Sequence, residues 1–292
     1  MPSPAGTVFR TMKMVSRIEN LQPGMVAVVG IPFDDNSSFM QGPALAPAKI
    51  RKAWNSRSMN LCAESGIDLD KETHFVDLGD LDIAAAPAII ENIETAIAEL
   101  LDHNIRIISL GGDHAITYPV LKSCSARFTR LDILHLDAHP DLYDSYDGNR
   151  YSNACPFARI MEEKLVSRLV QIGIRTLNPH QRKQAQRFGV EIIDMQNLHR
   201  AGAIQWENPL YLSIDLDVLD PAFAPGVSHY EPGGMSTRQV IELIQGLPVP
   251  IAGADIVEYN PRRDPQELTA MVAAKILKEV AARMLELPVE SI

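Results

Sequence analysis

Cysteine is scarce in this chain: three residues, Cys62, Cys124 and Cys155, in 292. The number is odd and the spacing makes no CxxC pair, so neither a disulfide framework nor a thiolate metal site is expected. A reducing compartment is the expected setting. Long apolar runs are missing too. No stretch approaches the ~20 uninterrupted apolar residues of a membrane span, which excludes an integral helical membrane protein. Nor is there an excess of positive charge: 27 Lys+Arg stand against 37 Asp+Glu, a net charge of −10. Such a surface repels phosphate backbones and anionic lipids and weakly favours a cationic small molecule. The first residues lack an apolar secretion segment, which points to a cytoplasmic protein. Residues 1–18 do carry Arg10, Lys13 and Arg17 with no acid, a weak transit-peptide character that makes organelle import the second expectation.

What remains is an ordinary globular composition, 46% hydrophobic and 22% charged, in a length that suits one large domain. Apolar, β-branched runs at 25–30, 74–78, 105–110, 131–137, 169–173, 190–193, 210–217 and 251–257 alternate with longer helical patterns. That alternation is the mark of a parallel sheet with crossover helices. Residues 90–102 and 268–285 repeat apolar positions at three and four, and Ser236 with Gln239 reads as a capped helix start. A doubly wound α/β domain over 21–292 behind a tail at 1–20 is expected, with a (β/α)8 barrel as the competing topology. Long Gly/Pro-containing loops at 137–153 and 220–234 each follow a strand's carboxyl end, where open α/β sheets bind ligands.

Three segments carry the chemistry. Ser109-Leu110-Gly111-Gly112-Asp113-His114 ends a strand in two glycines and a histidine. By itself such a histidine reads as a core or capping residue. In Leu136-Asp137-Ala138-His139-Pro140-Asp141 three donors alternate, and alternate residues of an extended chain share a face. A polar turn is the other reading, but neighbouring buried carboxylates cannot all stay ionised without a cation. Asp215 and Asp217 repeat the pattern after another apolar run, with Ser213 on the same face as a candidate hydrogen bonder behind them. His114, Asp137, His139, Asp141, Asp215 and Asp217 together carry about −4, which balances two divalent cations. Oxygen and nitrogen donors without thiolate suit Mn²⁺, and also Zn²⁺, Fe²⁺, Co²⁺ or Ni²⁺. His135, inside the apolar run, reads as a core residue.

The segments GGDH at 111–114, LDAHPD at 136–141 and SIDLDVLDPAFAPG at 213–226 resemble the three signatures of the ureohydrolase family, which contains arginases and agmatinases. Connecting segments at 39–50, 157–162, 221–234 and 255–261 resemble the plant-type arginase branch in particular. The resemblance implies a three-layer α/β/α fold on an eight-stranded parallel sheet, a two-Mn²⁺ centre, and a homotrimer or homohexamer. It implies that His114 and Asp141 bind one ion, His139 and Asp217 the other, and that Asp137 and Asp215 bridge both. Asp141 would also stabilise the tetrahedral intermediate. Glu258 matches the family's acid that pairs with a cationic guanidino substrate, and Asn153 stands where the family usually has a proton-shuttling histidine. An amide carries no proton near neutral pH, so His229 or water would have to supply it, or turnover is impaired.

The implied reaction is hydrolysis of a linear guanidino compound to urea and an amine. L-Arginine is the first expectation; agmatine or another guanidino acid follows. Asn149, Arg150, Asn178 and His229 are the candidate readers of the substrate's far end. A metal-binding protein of little activity and a two-metal phosphoesterase are the readings from other classes. The second would want basic residues near the ligands, where the sequence places acids.

Overall fold

A computed structural model describes Met12, Met14 and residues 18–82 and 88–289 of the chain. The basic residues Arg10, Lys13 and Arg17 of the expected tail lie outside the described residues. All eight expected strands form: β1 (Val26–Ile31), β2 (Phe75–Asp80), β3 (Arg106–Gly111), β4 (Asp132–Leu136), β5 (Arg168–Ile174), β6 (Glu191–Asp194), β7 (Leu210–Asp215) and β8 (Ile251–Val257). Their order is β2-β1-β3-β8-β7-β4-β5-β6, every pair parallel. Among the described residues β2 and β6 do not pair with each other: β1 is the only strand beside β2, which adds a single bridge from Asp77 to Met14, and β5 the only strand beside β6, so the sheet is open and the barrel alternative is excluded.

Among the described residues seven helices cover the two faces: α1 (Ala46–Trp54), α2 (Ile89–Leu101), α3 (Thr117–Ser125), α4 (Pro156–Glu162), α5 (Pro179–Phe188), α6 (Thr237–Gln245) and α7 (Leu268–Glu286). Alternate strand residues feed two separate cores, as the two-residue repeat of a strand requires. Val26, Val28, Ile108 and Leu110 join Ile50 of α1, Ile244 of α6 and Ile276 of α7 on one face. Ala27, Val29 and Ile107 join Ile97 of α2, Leu121 of α3, Phe157 of α4 and Ala185 of α5 on the other. This is the three-layer α/β/α arrangement. The start of α6 carries a reciprocal cap, the Ser236 side chain accepting from Gln239 N–H and the Gln239 side chain from Ser236 N–H.

Two strands end earlier than their apolar patterns suggest. β4 stops at Leu136 rather than 137, and β7 stops at Asp215 before a 3₁₀ turn at Leu216–Val218. In both, an aspartate side chain takes the backbone N–H two residues on: Asp137 from His139 at 2.6 Å, Asp215 from Asp217 at 2.7 Å. Local side-chain acceptors thus turn the chain out of the sheet.

Candidate functional site

Leu110, Ile256, Ile214 and Leu136 lie side by side in register across β3, β8, β7 and β4. The segments that follow these four residues leave the sheet at one edge, its carboxyl end, near the middle of the strand order. They bring His114, Glu258, Asp215 with Asp217, and Asp137 with His139 and Asp141 together. A topological centre of this kind is where open α/β sheets hold ligands.

His114 opens a 3₁₀ turn ahead of α3, behind Asp113, whose side chain caps it by accepting Ala115 N–H. Its approach depends on Gly112, where a Cβ would lie 1.8 Å from the Phe33 carbonyl oxygen. The ring is wholly buried. Ser213 gives its hydroxyl proton to Asp255 Oδ1 at 2.7 Å and therefore accepts from His114 Nε2 at 2.9 Å. In the neutral ring that leaves Nδ1 of His114 as the bare position, and it has no hydrogen-bond partner. Asp137, Asp141 and Asp215 each place an oxygen 3.2–3.3 Å from it. A bare imidazole nitrogen facing three carboxylates is a donor set for a cation.

Asp137 links this group to a second one. Its Oδ2 lies 3.3 Å from His114 Nδ1 and its Oδ1 lies 3.4 Å from His139 Nδ1. His139 Nδ1 also approaches Asp217 Oδ2 at 2.9 Å. Two overlapping sets of potential ligands result, His114, His135, Asp137 and Asp141 in one and Asp137, His139 and Asp217 in the other, and either could hold a metal ion. Burial and the neighbouring charges of Asp217 and Asp137 push Asp215 well above the usual carboxylate range, and burial with Asp137 pushes Asp141 up. Burial works against the charge of Asp137 as well, yet His135, which donates to it, holds it well below that range. Positive charge at this edge is what the crowded carboxylates demand.

The donors do not meet by simple alternation along an extended chain. Asp141 is left-handed, φ 49°, and Asp217 sits within the 3₁₀ turn. Glu258 is left-handed too, φ 62°. Backbone held in this region concentrates where side-chain placement matters more than local energy. Glu258 is buried, and its Oε1 accepts from His114 N–H at 2.8 Å and from Asn153 Nδ2 at 2.9 Å. Burial raises its carboxyl to about 7 against those two hydrogen bonds.

A cavity of about 210 Å³ opens onto Asp141, Asp215, Asp217, His139 and Glu258. Asn153 and His229 line it as well, whereas Asn149, Arg150 and Asn178 do not. Arg150 is exposed and pairs with Glu162 at 2.9 Å, because its loop residue points back towards α4. Asn149 bonds Asn36, and Asn178 caps α5 while donating to the Tyr143 hydroxyl. No lysine or arginine lines the cavity among the described residues, which removes the usual means of gripping phosphate.

The model of the arginase family matches residues 25–282. This chain belongs to that family. Arginase 1, mitochondrial, of Arabidopsis thaliana is 43% identical over 275 residues, covering 88% of this chain and 80% of the relative. An agmatinase of Blochmanniella floridana is 33% identical over 268 residues, 85% of this chain and 84% of the relative. Among solved structures, the arginase from Medicago truncatula superposes with a TM-score of 0.85 at 40% identity, over 91% of this chain and 88% of that one.

Several residues of this arginase-family site escape sequence reading. His135 is buried as expected, but it is not inert: Gln171 Nε2 donates to Pro140 O at 2.7 Å and to His135 Nδ1 at 3.0 Å. His135 Nε2 therefore donates to Asp137 Oδ2 at 2.7 Å and orients that carboxylate. The signal was its spacing, two residues before Asp137 on the same strand face. Asp255 is the other hidden residue. It pairs with Ser213 in register and also accepts the Thr117 and Tyr211 hydroxyls at 2.9 and 2.8 Å. Tyr143, Tyr146 and Glu231 complete the cavity wall.

Proposed function

We propose that this chain is a two-metal ureohydrolase that hydrolyses L-arginine to urea and ornithine, with agmatine the next substrate in order. The observation that carries this is one cavity in which a two-part His–Asp cluster faces a buried carboxylate, Glu258, that belongs to neither part. The plant arginases stand nearer in identity than the agmatinase, 43% against 33%, which ranks the substrates.

His114 and Asp141 would hold one ion, His139 and Asp217 the second, with Asp137 and Asp215 shared between them. The two separate oxygens of Asp137 directed at the two imidazoles support that division. Mn²⁺ suits the oxygen-rich donor set best, other first-row divalent ions following. When bound, such a pair lowers the pKa of water to near neutrality and so supplies the nucleophile.

The protein's own groups do the rest. Glu258, ionised, pairs with the planar guanidinium and presents its carbon to the cluster. Asn153 holds Glu258 Oε1 in place. Asp141, at the cavity floor, accepts a hydrogen bond as the trigonal carbon becomes tetrahedral. The leaving nitrogen must gain a proton, since an amide anion does not depart. Asn153 carries none. His229, whose ring centre lies 5.5 Å from that of His139, is the imidazole on the wall outside the cluster, and burial and His139 keep it below its usual pKa. It passes a proton from water to the leaving nitrogen.

Residues 21–292 would act as one domain in a homotrimer or homohexamer. The family match over 25–282 supports the first part. No described helix is long and apolar enough to cross a membrane. A cytoplasmic setting remains the reading of the chain itself, with organelle import second; the Arabidopsis relative is named as mitochondrial. Urea release from L-arginine and from agmatine, each with added Mn²⁺, tests the proposal. Release from neither would remove it, in favour of a metal-binding protein of little activity.

A further inference from the structure

Five carboxylates line the cavity, and four have work: Asp141, Asp215 and Asp217 in the cluster and Glu258 on the guanidinium. The fifth is Glu231, on the long loop after β7. Its side chain is 38% exposed, with one oxygen 3.8 Å from His139 Nε2, beyond hydrogen-bond reach. No hydrogen bond to this carboxylate forms among the described residues, and no lysine or arginine lines the cavity to neutralise it.

The backbone beneath it, by contrast, is firmly held. Arg175 donates to the Glu231 carbonyl through Nε at 2.8 Å and through a terminal nitrogen at 2.6 Å, and that same nitrogen donates to the Asp217 carbonyl at 2.6 Å. One guanidinium thus fixes the Glu231 loop against the turn that carries a cluster residue. Gly234 makes room for it, since a Cβ there would lie 2.7 Å from the Arg175 nitrogen. A carboxylate on a rigid footing, half in water and without a hydrogen bond, is a recognition group for a cation entering from solvent.

We infer that Glu231 is a specificity-determining residue that pairs with the ammonium group at the far end of the guanidino substrate, the α-ammonium of L-arginine or the terminal ammonium of agmatine. This rests on the ureohydrolase reading above. The substrate is then held at both ends by acids, its guanidinium by Glu258 and its ammonium by Glu231. The Tyr143 hydroxyl, which accepts from Asn178 Nδ2 at 2.5 Å and so keeps its own proton free, is the neutral donor on the same wall for an α-carboxylate.

The test compares wild type with Glu231→Gln and Glu231→Asp, all loaded with Mn²⁺. Two quantities are measured: kcat/KM for L-arginine, and the inhibition constant of 5-guanidinopentanoate, which lacks only the α-ammonium, against arginine hydrolysis. Loss of a charge-assisted contact should lower kcat/KM of Glu231→Gln by about tenfold or more, carried by KM. The inhibition constant of the des-amino analogue should stay within about twofold, and Glu231→Asp should fall between wild type and Gln, as partial retention of the charge requires. Mn²⁺ affinity, measured by titration, should be unchanged. Equal weakening for both ligands, or weaker Mn²⁺ binding, would show that Glu231 acts through His139 and would overturn the inference; so would an unchanged kcat/KM. A wild-type protein that releases no urea from arginine or agmatine would instead remove the ureohydrolase reading.

Discussion

Asn153 Nδ2 and the backbone N–H of His114 both donate to one oxygen of Glu258, at 2.9 and 2.8 Å. The amide of Asn153 is itself anchored, its Oδ1 accepting Ser38 N–H at 2.9 Å. Position 153 is therefore a fixed donor beside the proposed guanidinium site. It can orient Glu258, but it cannot move a proton.

A histidine at that position would keep a donor towards Glu258 and add a titratable proton. Asn153→His should raise kcat for urea release from L-arginine, by up to the 10²–10⁴-fold typical of a positioned general acid. An unchanged or lower kcat in steady-state assays would mean that no shuttle is needed at this position.

Ionised Glu258 is required to hold the guanidinium, and burial places its carboxyl at about 7. Below that pH the group is protonated and neutral; above it, charged. The kcat/KM for arginine should therefore climb as pH passes upward through about 7. Asn153→Ala removes a hydrogen bond that favours the ionised form, so the climb should move to higher pH. A limb that stays in place when Asn153 is truncated would assign it to another group.

Stripping divalent ions with a chelator should lower Tm, because the crowded carboxylates lose the cations that offset their repulsion. A ligand at 100 times its Kd stabilises by about 2.7 kcal/mol, a shift of several degrees for a chain of this size. Differential scanning calorimetry with and without Mn²⁺ measures it. Binding of fewer than two ions per chain would contradict the shared role of Asp137.

The tautomer of His114 depends on Asp255 through Ser213. With Asp255→Asn the Ser213 hydroxyl loses its charged acceptor and is free to donate to Nε2, which moves the ring proton onto Nδ1. Mn²⁺ affinity should fall by roughly 10–100-fold, the usual scale for a partner behind a ligand. Ser213→Ala should fall less, since it removes the competing donor. Titration calorimetry of both variants separates these outcomes.

The strands and the clustering of the donors were legible for different reasons. Eight apolar runs between amphipathic stretches announce a parallel α/β sheet, and donors such as Asp137, His139 and Asp141 are conspicuous against an apolar strand. Strand order was not legible, because β8 reaches its place between β3 and β7 through contacts distant in sequence. Asp255 has meaning only once its register with Ser213 is known. His135 is readable from its spacing to Asp137, although its apolar neighbours argue for a core residue. Arg150 shows the opposite error: a charge close to the motifs in sequence that Glu162 holds at the surface.

The last of the described strands occupies an interior position in the sheet. β8 separates β3 from β7, so the half of the cluster that follows β3 meets the half that follows β7 and β4 only across residues 251–257. During synthesis, a nascent polypeptide that ends short of that point has every histidine and aspartate of the cluster and no means of docking the two portions. Capture of metal is thereby postponed until the ribosome has passed residue 257, and a fragment truncated at residue 250 should leave Mn²⁺ in solution.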